Sequence, residues 1–280
     1  MSSVGRFARS VFLSETYRTV MDTVDAKIPM VRKWRCFEYD EHFARRSQWA
    51  RKFNGVYASF EEARQAIPAM AAEGYDSPGS GNMFEDPRRV YPSDYPVMFW
   101  MGRVLPHVRR VFDFGGHVGL SYYAYQQYLP YPKGLEWTIC DVPEVVRAGR
   151  ELAGNQSAQG LHFTTSFEDA EGADLLLAAG SLQFVEEPLA ERLGALRSKP
   201  AHVVINKVPL ADGEPFVTLQ NIGPAICPYR IFNKDDFRSG LEQVGYEVVD
   251  EWVNPDLGCY IPYHADRIVH AFSGMYLRLR

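Results

Sequence analysis

The chain is expected to fold as an α/β protein: a doubly wound sheet of seven strands with a C-terminal antiparallel hairpin, preceded by an N-terminal helical cap. From Arg109 onward, short apolar runs alternate with helical stretches, the pattern of parallel strands joined by crossover helices. The first run ends in a Gly-rich turn that opens a helix, and the last two runs have no helix between them. Composition permits such a fold. The chain has 280 residues, 46% hydrophobic and 23% charged, which is ordinary for a globular protein and excludes a disordered one. That length buries a core without disulfide or metal staples.

The elements come in order. Residues 1–90 mix Arg, Glu, Phe and Tyr with helical periodicity, and form the expected cap, a substrate or dimer region. Within it, Phe7, Val11 and Phe12 make an amphipathic run, and Ser59 with Glu62 makes a capping box. Gly74, the run Ser77-Pro78-Gly79-Ser80-Gly81 and Asp86-Pro87 punctuate a loop, and residues 91–107 are expected to be helical. The second unit, residues 91–280, carries strands expected at 111–114, 137–140, 161–164, 173–179, 202–206, 246–253 and 271–279. Pro143 suits the first turn of a helix ending near Gly154. Leu189, Leu193 and Leu196 repeat at helical spacing, as do Phe237, Leu241 and Val244, with Asn233 as N-cap and Gly245 as stop. Residues 209–230 are expected to be a long substrate loop.

In an open sheet of this kind the ligand lies outside the carboxyl ends of the strands. The informative stretch is Val111-Phe112-Asp113-Phe114-Gly115-Gly116-His117-Val118-Gly119. Glycines there let a backbone approach a ligand closely, and a helix start offers free N–H groups. The dinucleotide fingerprint G-x-G-x-x-G is incomplete, because Phe114 stands at its first position. An acid two residues before the glycines instead resembles motif I of class I S-adenosylmethionine (SAM) methyltransferases, whose fold is Rossmann-like. The resemblance implies that Asp113, Gly115, Gly116, His117 and Gly119 hold the amino-acid end of SAM. It implies that Asp141, with Val142, receives the ribose hydroxyls, since a carboxylate accepts two hydrogen bonds at once. An NAD enzyme also uses an acid there. Ser166 and Phe167 stand where such enzymes touch adenine.

Phe53-Asn54-Gly55-Val56-Tyr57-Ala58-Ser59-Phe60-Glu61-Glu62-Ala63, then Gly74-Tyr75-Asp76-Ser77, is similar to the front half of one uncharacterised family of SAM-dependent methyltransferases, some of whose genes lie near polysaccharide genes. Phe112-Asp113-Phe114-Gly115-Gly116 and Gly180-Ser181-Leu182-Gln183-Phe184 look like its other motifs. The resemblance adds Gly180, Ser181 and Gln183 to the cofactor residues. Lys207 stands where the family is expected to have Arg, and lacks its bidentate fork.

Ala179-Gly180-Ser181-Leu182 is not the [DN]-P-P-[YF] motif of amino-directed enzymes, and the Asp and Asp-Asn positions of metal-dependent O-methyltransferases are missing. The expected reaction is therefore metal-independent O-methylation of a small molecule, sugar or natural-product hydroxyl. Catalytic candidates are His117, His264 and Lys207. Substrate candidates are Tyr122, Gln183, Lys207, Thr218, Gln220, Tyr229, Arg230 and Tyr263. The competing readings are an NAD(P)-dependent oxidoreductase or epimerase and a non-catalytic scaffold subunit. Partners are expected to be the acceptor and, in a homodimer, a second copy. A net charge of −5 argues against nucleic acid and anionic membranes. Four cysteines without zinc or CxxC spacing, no bilayer-spanning run and no secretory signal lead to a cytoplasmic expectation.

Overall fold

A computed structural model describes residues 28–45, 52–84 and 86–280. Phe7, Val11 and Phe12 lie outside the described residues. The first elements are helix α1 (Pro29–Arg45), strand β1 (Lys52–Tyr57), the short helix α2 (Phe60–Gln65) and helix α3 (Tyr95–Val104). Ser59 caps α2 by accepting the Glu62 N–H at 3.1 Å, while Glu62 accepts the Ala58 N–H at 2.9 Å, so the capping box forms as the spacing predicts.

The alternating half then builds β2 (Arg110–Phe114), α4 (Leu120–Tyr125), β3 (Glu136–Cys140), α5 (Pro143–Gln156), β4 (Leu161–Thr164), β5 (Leu175–Ala179), α6 (Leu189–Ala195) and β6 (His202–Val208). After it come β7 (Leu210–Ala211), β8 (Phe216–Asn221), β9 (Ile226–Asn233), α7 (Lys234–Gln243), β10 (Tyr246–Asn254) and β11 (Phe272–Leu279). All seven expected strands of the main sheet are present, in the order β10-β11-β6-β5-β2-β3-β4. β2 to β6 are parallel to one another, whereas β11 is antiparallel to both β6 and β10. The C-terminal hairpin therefore feeds its second strand between β6 and the edge strand β10. This departs from the all-parallel order of a dinucleotide-binding fold.

Burial explains the sheet. β5 reads Leu-Leu-Leu-Ala-Ala, with its first four residues buried, as a strand covered on both faces must be. One face packs α6 and α7 through Leu193 and Leu241, and the other packs α3 and α4 through Met101 and Tyr125. Asn233 caps α7 by accepting the Asp236 N–H at 2.8 Å.

Two expectations are corrected. The purely helical reading of residues 1–90 fails at β1, and the loop expected at 209–230 is largely strand. β1, β8, β9 and β7 form a second, four-stranded sheet, with β1 antiparallel to β8 and β8 antiparallel to β9. Prolines at 209, 215, 224 and 228 suggest a loop, yet Pro228 sits within β9 opposite Leu219 of β8. In β1 Phe53 alone is buried and the other five residues are exposed or half-buried, so the strand carries little alternating signal, and its partner β8 lies far along the chain.

Candidate active site

The chain passes from β2 to β3 and β4 on one side, then returns to β5 on the other, so the sheet reverses between β2 and β5. Such a switch point opens a crevice at the carboxyl ends of the strands. The Gly turn after β2 and the Gly180-Ser181-Leu182-Gln183 stretch after β5 meet there. Gly115 adopts φ +72°, and a Cβ added to it would overlap the Cβ of Ser181. A Cβ on Gly116 would lie 2.6 Å from the Asp113 carboxyl carbon. The Ser181 hydroxyl donates to Phe114 O at 2.5 Å, tying the two lips together.

Asp113 lies within β2, fully buried beneath that turn. Its Oδ2 accepts Trp137 Nε1–H at 3.2 Å, while Oδ1 has no partner among the described residues. Burial pushes its pKa up to about 7, the Trp137 bond works against that shift, and the nearby Asp141 charge adds to it. Asp141 comes just after β3. Its Oδ2 accepts the His117 N–H at 2.9 Å and its Oδ1 accepts the Val142 N–H at 2.8 Å. Each oxygen keeps a further lone pair. Burial raises its pKa to about 6 against those two bonds.

His117 has φ +56°, a left-handed backbone that is uncommon outside glycine. Its Nε2 faces Ser80 O at 3.0 Å; a carbonyl only accepts, so Nε2 carries the proton and Nδ1 is a buried acceptor with no partner among the described residues. Burial lowers the His117 pKa, keeping the ring neutral. Gln183 donates to Gly180 O at 2.8 Å and leaves its buried Oε1 unpartnered. Lys207, at the end of β6, has φ +57° and donates to Asp94 Oδ1 at 2.8 Å, with Nζ 5.7 Å from the Tyr91 ring centroid. The aliphatic stem of Lys207 lies beside Gly180. Ser166 hydrogen-bonds Glu168, and Phe167 packs on Phe114 at 5.0 Å. Asp113, the Gly turn, His117, Asp141, Val142, Gly180, Ser181, Gln183 and Lys207 are thus brought to one rim, with Ser166 and Phe167 at its β4 end.

The other expected residues make contacts within the fold. Thr218 is fully buried and donates to Asn54 O at 3.1 Å, joining β8 to β1. Tyr229 is held between Phe53 and Phe184, with ring centroids at 5.0 and 5.1 Å. Gln220 pairs with Phe53 in the second sheet. Arg230 donates to Glu186 O at 2.7 Å. Tyr122 packs edge-on to Trp137 at 5.7 Å, beneath the turn. Tyr263 packs on Tyr39 of α1 at 6.3 Å, and the bonds of His264 are backbone turns in the same segment.

Two further groups reach the rim without standing out in the sequence. The first is the loop at 76–84. Asp76 accepts the Glu144 N–H at 2.9 Å at the start of α5, Ser80 O takes His117, and the Phe84 ring stands 6.1 Å from the His117 ring. Buried Ser80 Oγ has no partner among the described residues. The second is Asn206, which donates to Ser93 O at 2.8 Å and accepts from Trp252 and Asn254 at 3.0 Å each. The Pro-Gly punctuation at 77–81 is the available signal for the first; the signal for the second is its place at the carboxyl end of the strand expected at 202–206. Among the described residues, no group of three or more His, Cys, Asp or Glu is placed to hold a metal, and no helix is long and apolar enough to cross a membrane.

No family model matches the chain, and no curated protein does. Among solved structures, it is similar to the N-terminal domain of EvdMO1, crystallised with S-adenosylhomocysteine (SAH) and D-fucose, at 14% identity and TM-score 0.45, over 69% of this chain and 85% of that one. It is similar to 1,6-didemethyltoxoflavin-N1-methyltransferase from Burkholderia thailandensis at 19% identity and TM-score 0.46, over 67% and 78%. A third is the CcbJ methyltransferase of Streptomyces caelestis, at 12% identity and TM-score 0.46, over 71% and 94%.

Proposed function

We propose that the chain is a SAM-dependent methyltransferase that methylates an oxygen of a small molecule without a metal. The observation that carries this reading is the pair of acids at adjacent strand ends, Asp113 under a Gly turn and Asp141 beside it, among buried polar atoms with no partner among the described residues. Unpartnered buried donors and acceptors are rare in folded proteins, and several of them near the ends of neighbouring strands fit a polar ligand. SAM, when bound, supplies an electrophilic methyl group on a sulfonium.

The chain's own groups would then divide the work. Asp141 accepts two ribose hydroxyls through its spare lone pairs, while its bonds to the His117 and Val142 N–H groups hold it in place. Asp113, whose ionised form a cation above it would favour, would place negative charge beneath the amino-acid end. Ser166 and Phe167 border the adenine end, and Gln183 presents its free Oε1. Lys207, locked by Asp94, is a fixed cation for the acceptor. His117 Nδ1, neutral and oriented through Ser80, can take the acceptor's proton. Orientation and exclusion of water supply much of the rate in such a site. The acceptor class, the homodimer and the cytoplasmic location belong to this proposal.

Asp141→Ala tests the assignment. The expected result is SAH affinity weaker by about 1–3 kcal/mol, since a charged acceptor of two hydroxyls is lost. Unchanged affinity removes Asp141 from the site.

A further inference from the structure

A groove of about 620 Å³ opens between the four-stranded sheet and helices α6 and α7. None of residues 115–119, 141 or 180–183 lines it. The groove is therefore distinct from the crevice at the switch point, and its chemistry is independent of the cofactor reading. Its walls are largely apolar, with Val217, Phe232, Phe237 and Leu241 among them. The volume suits a molecule of two or three rings.

A cation enters this apolar space. The Arg230 guanidinium carbon lies 4.9 Å from the Phe60 ring centroid and 5.6 Å from that of Phe232. The two rings orient the group and strip water from it, which strengthens its attraction to any opposite charge. Among the described residues it makes a single hydrogen bond, from Nη2 to Glu186 O, out of the five that a guanidinium can donate. Among the acids of the lining, the Glu186 carboxylate pairs with Arg64 at 2.8 Å, a cation it shares with Glu61 and Glu73, and the charges of Glu186 and Glu191 also act on Arg230. Glu191 and Asp236 are exposed on the lining and disfavour a ligand with more than one negative charge.

We propose that this groove is a second ligand site, for a ring-sized apolar molecule carrying one carboxylate that Arg230 grips with its unused N–H fork. A planar guanidinium matches a carboxylate with two parallel hydrogen bonds, and the apolar walls take the body of the ligand.

The test uses 2-naphthoate and its neutral isostere 2-naphthamide, titrated against the full chain by calorimetry. Naphthoate is expected to bind at one saturable site, about tenfold or more tighter than the amide. Arg230→Met should remove that preference. Ala58→Trp, which fills the groove from its exposed side, should abolish binding and leave SAH binding unchanged. No saturable binding, equal affinity for acid and amide, full affinity in Arg230→Met, or competition between naphthoate and SAH each overturns the proposal. The acid–amide comparison needs no variant, so a poorly folding substitution does not protect the idea.

Discussion

The rim of the main sheet and the body of the small sheet use polar residues in opposite ways. At the rim, polar groups lie at or near the ends of parallel strands with capacity to spare: Asp113 Oδ1, His117 Nδ1 and Gln183 Oε1 are buried without partners among the described residues. In the small sheet the buried polar side chains Thr218 and Asn221 are used up by the fold. Thr218 joins Asn54, 164 positions away, and Asn221 donates to Phe43 O at 2.7 Å, tying α1 to β8. A buried polar group that is satisfied holds structure together, and one that is unsatisfied and shares a crevice with others marks a ligand.

Substitutions should separate the two regions. The largest effect is expected from Gly115→Val, which forces a β-branched residue into φ +72° against Ser181. It should cost about 2–4 kcal/mol of stability and eliminate SAH binding; a variant that melts normally and binds SAH would contradict the packing described at the lips. Lys207→Met should cost about 1–3 kcal/mol by leaving the Asp94 carboxylate, 6% exposed, without its cation. Adding Asp94→Asn should restore part of that loss, and no restoration would mean that the pair is not the cause.

Asp113→Asn keeps the shape and removes the charge, and should weaken SAH binding about 10- to 100-fold. It also carries a pH signature. The folded protein holds the Asp113 proton up to about pH 7 and Asp141 its own up to about 6, whereas both give it up near 4 when unfolded. The folded state binds more protons, so stability of the ligand-free protein should fall as pH rises from about 4 to about 7. Melting curves across that range should show the fall in the native protein and a shallower one in Asp113→Asn; equal slopes would remove Asp113 as its source. The smallest effect is expected in the small sheet: Thr218→Val should cost about 1 kcal/mol and leave SAH affinity unchanged. A tenfold loss of affinity there would erase the distinction between the two regions.

The same contrast explains what is legible in the chain alone. Parallel strands buried on both faces are apolar runs, and their rim residues come within a few positions of the strand ends, so Asp113, Gly115, Asp141 and Gly180 stand out in the sequence. The small sheet joins residues 52–57 to residues 216–233, and its pairing depends on contacts that no local window contains. Thr218, Gln220 and Tyr229 therefore read as loop residues facing a substrate, although they are strand residues. Ser80 and Asp94 reach the rim from distant loops, and only the folded chain shows them beside His117 and Lys207.

The proposed activity depends on the crevice taking SAM. Calorimetric titration with SAH, run in parallel with NAD and NADP, tests it most directly. SAH is expected to bind at one site, with neither nicotinamide cofactor competing. Binding of NAD or NADP without SAH would contradict that expectation, and would make residues 115–119 a dinucleotide turn that works with Phe114 in place of its first glycine.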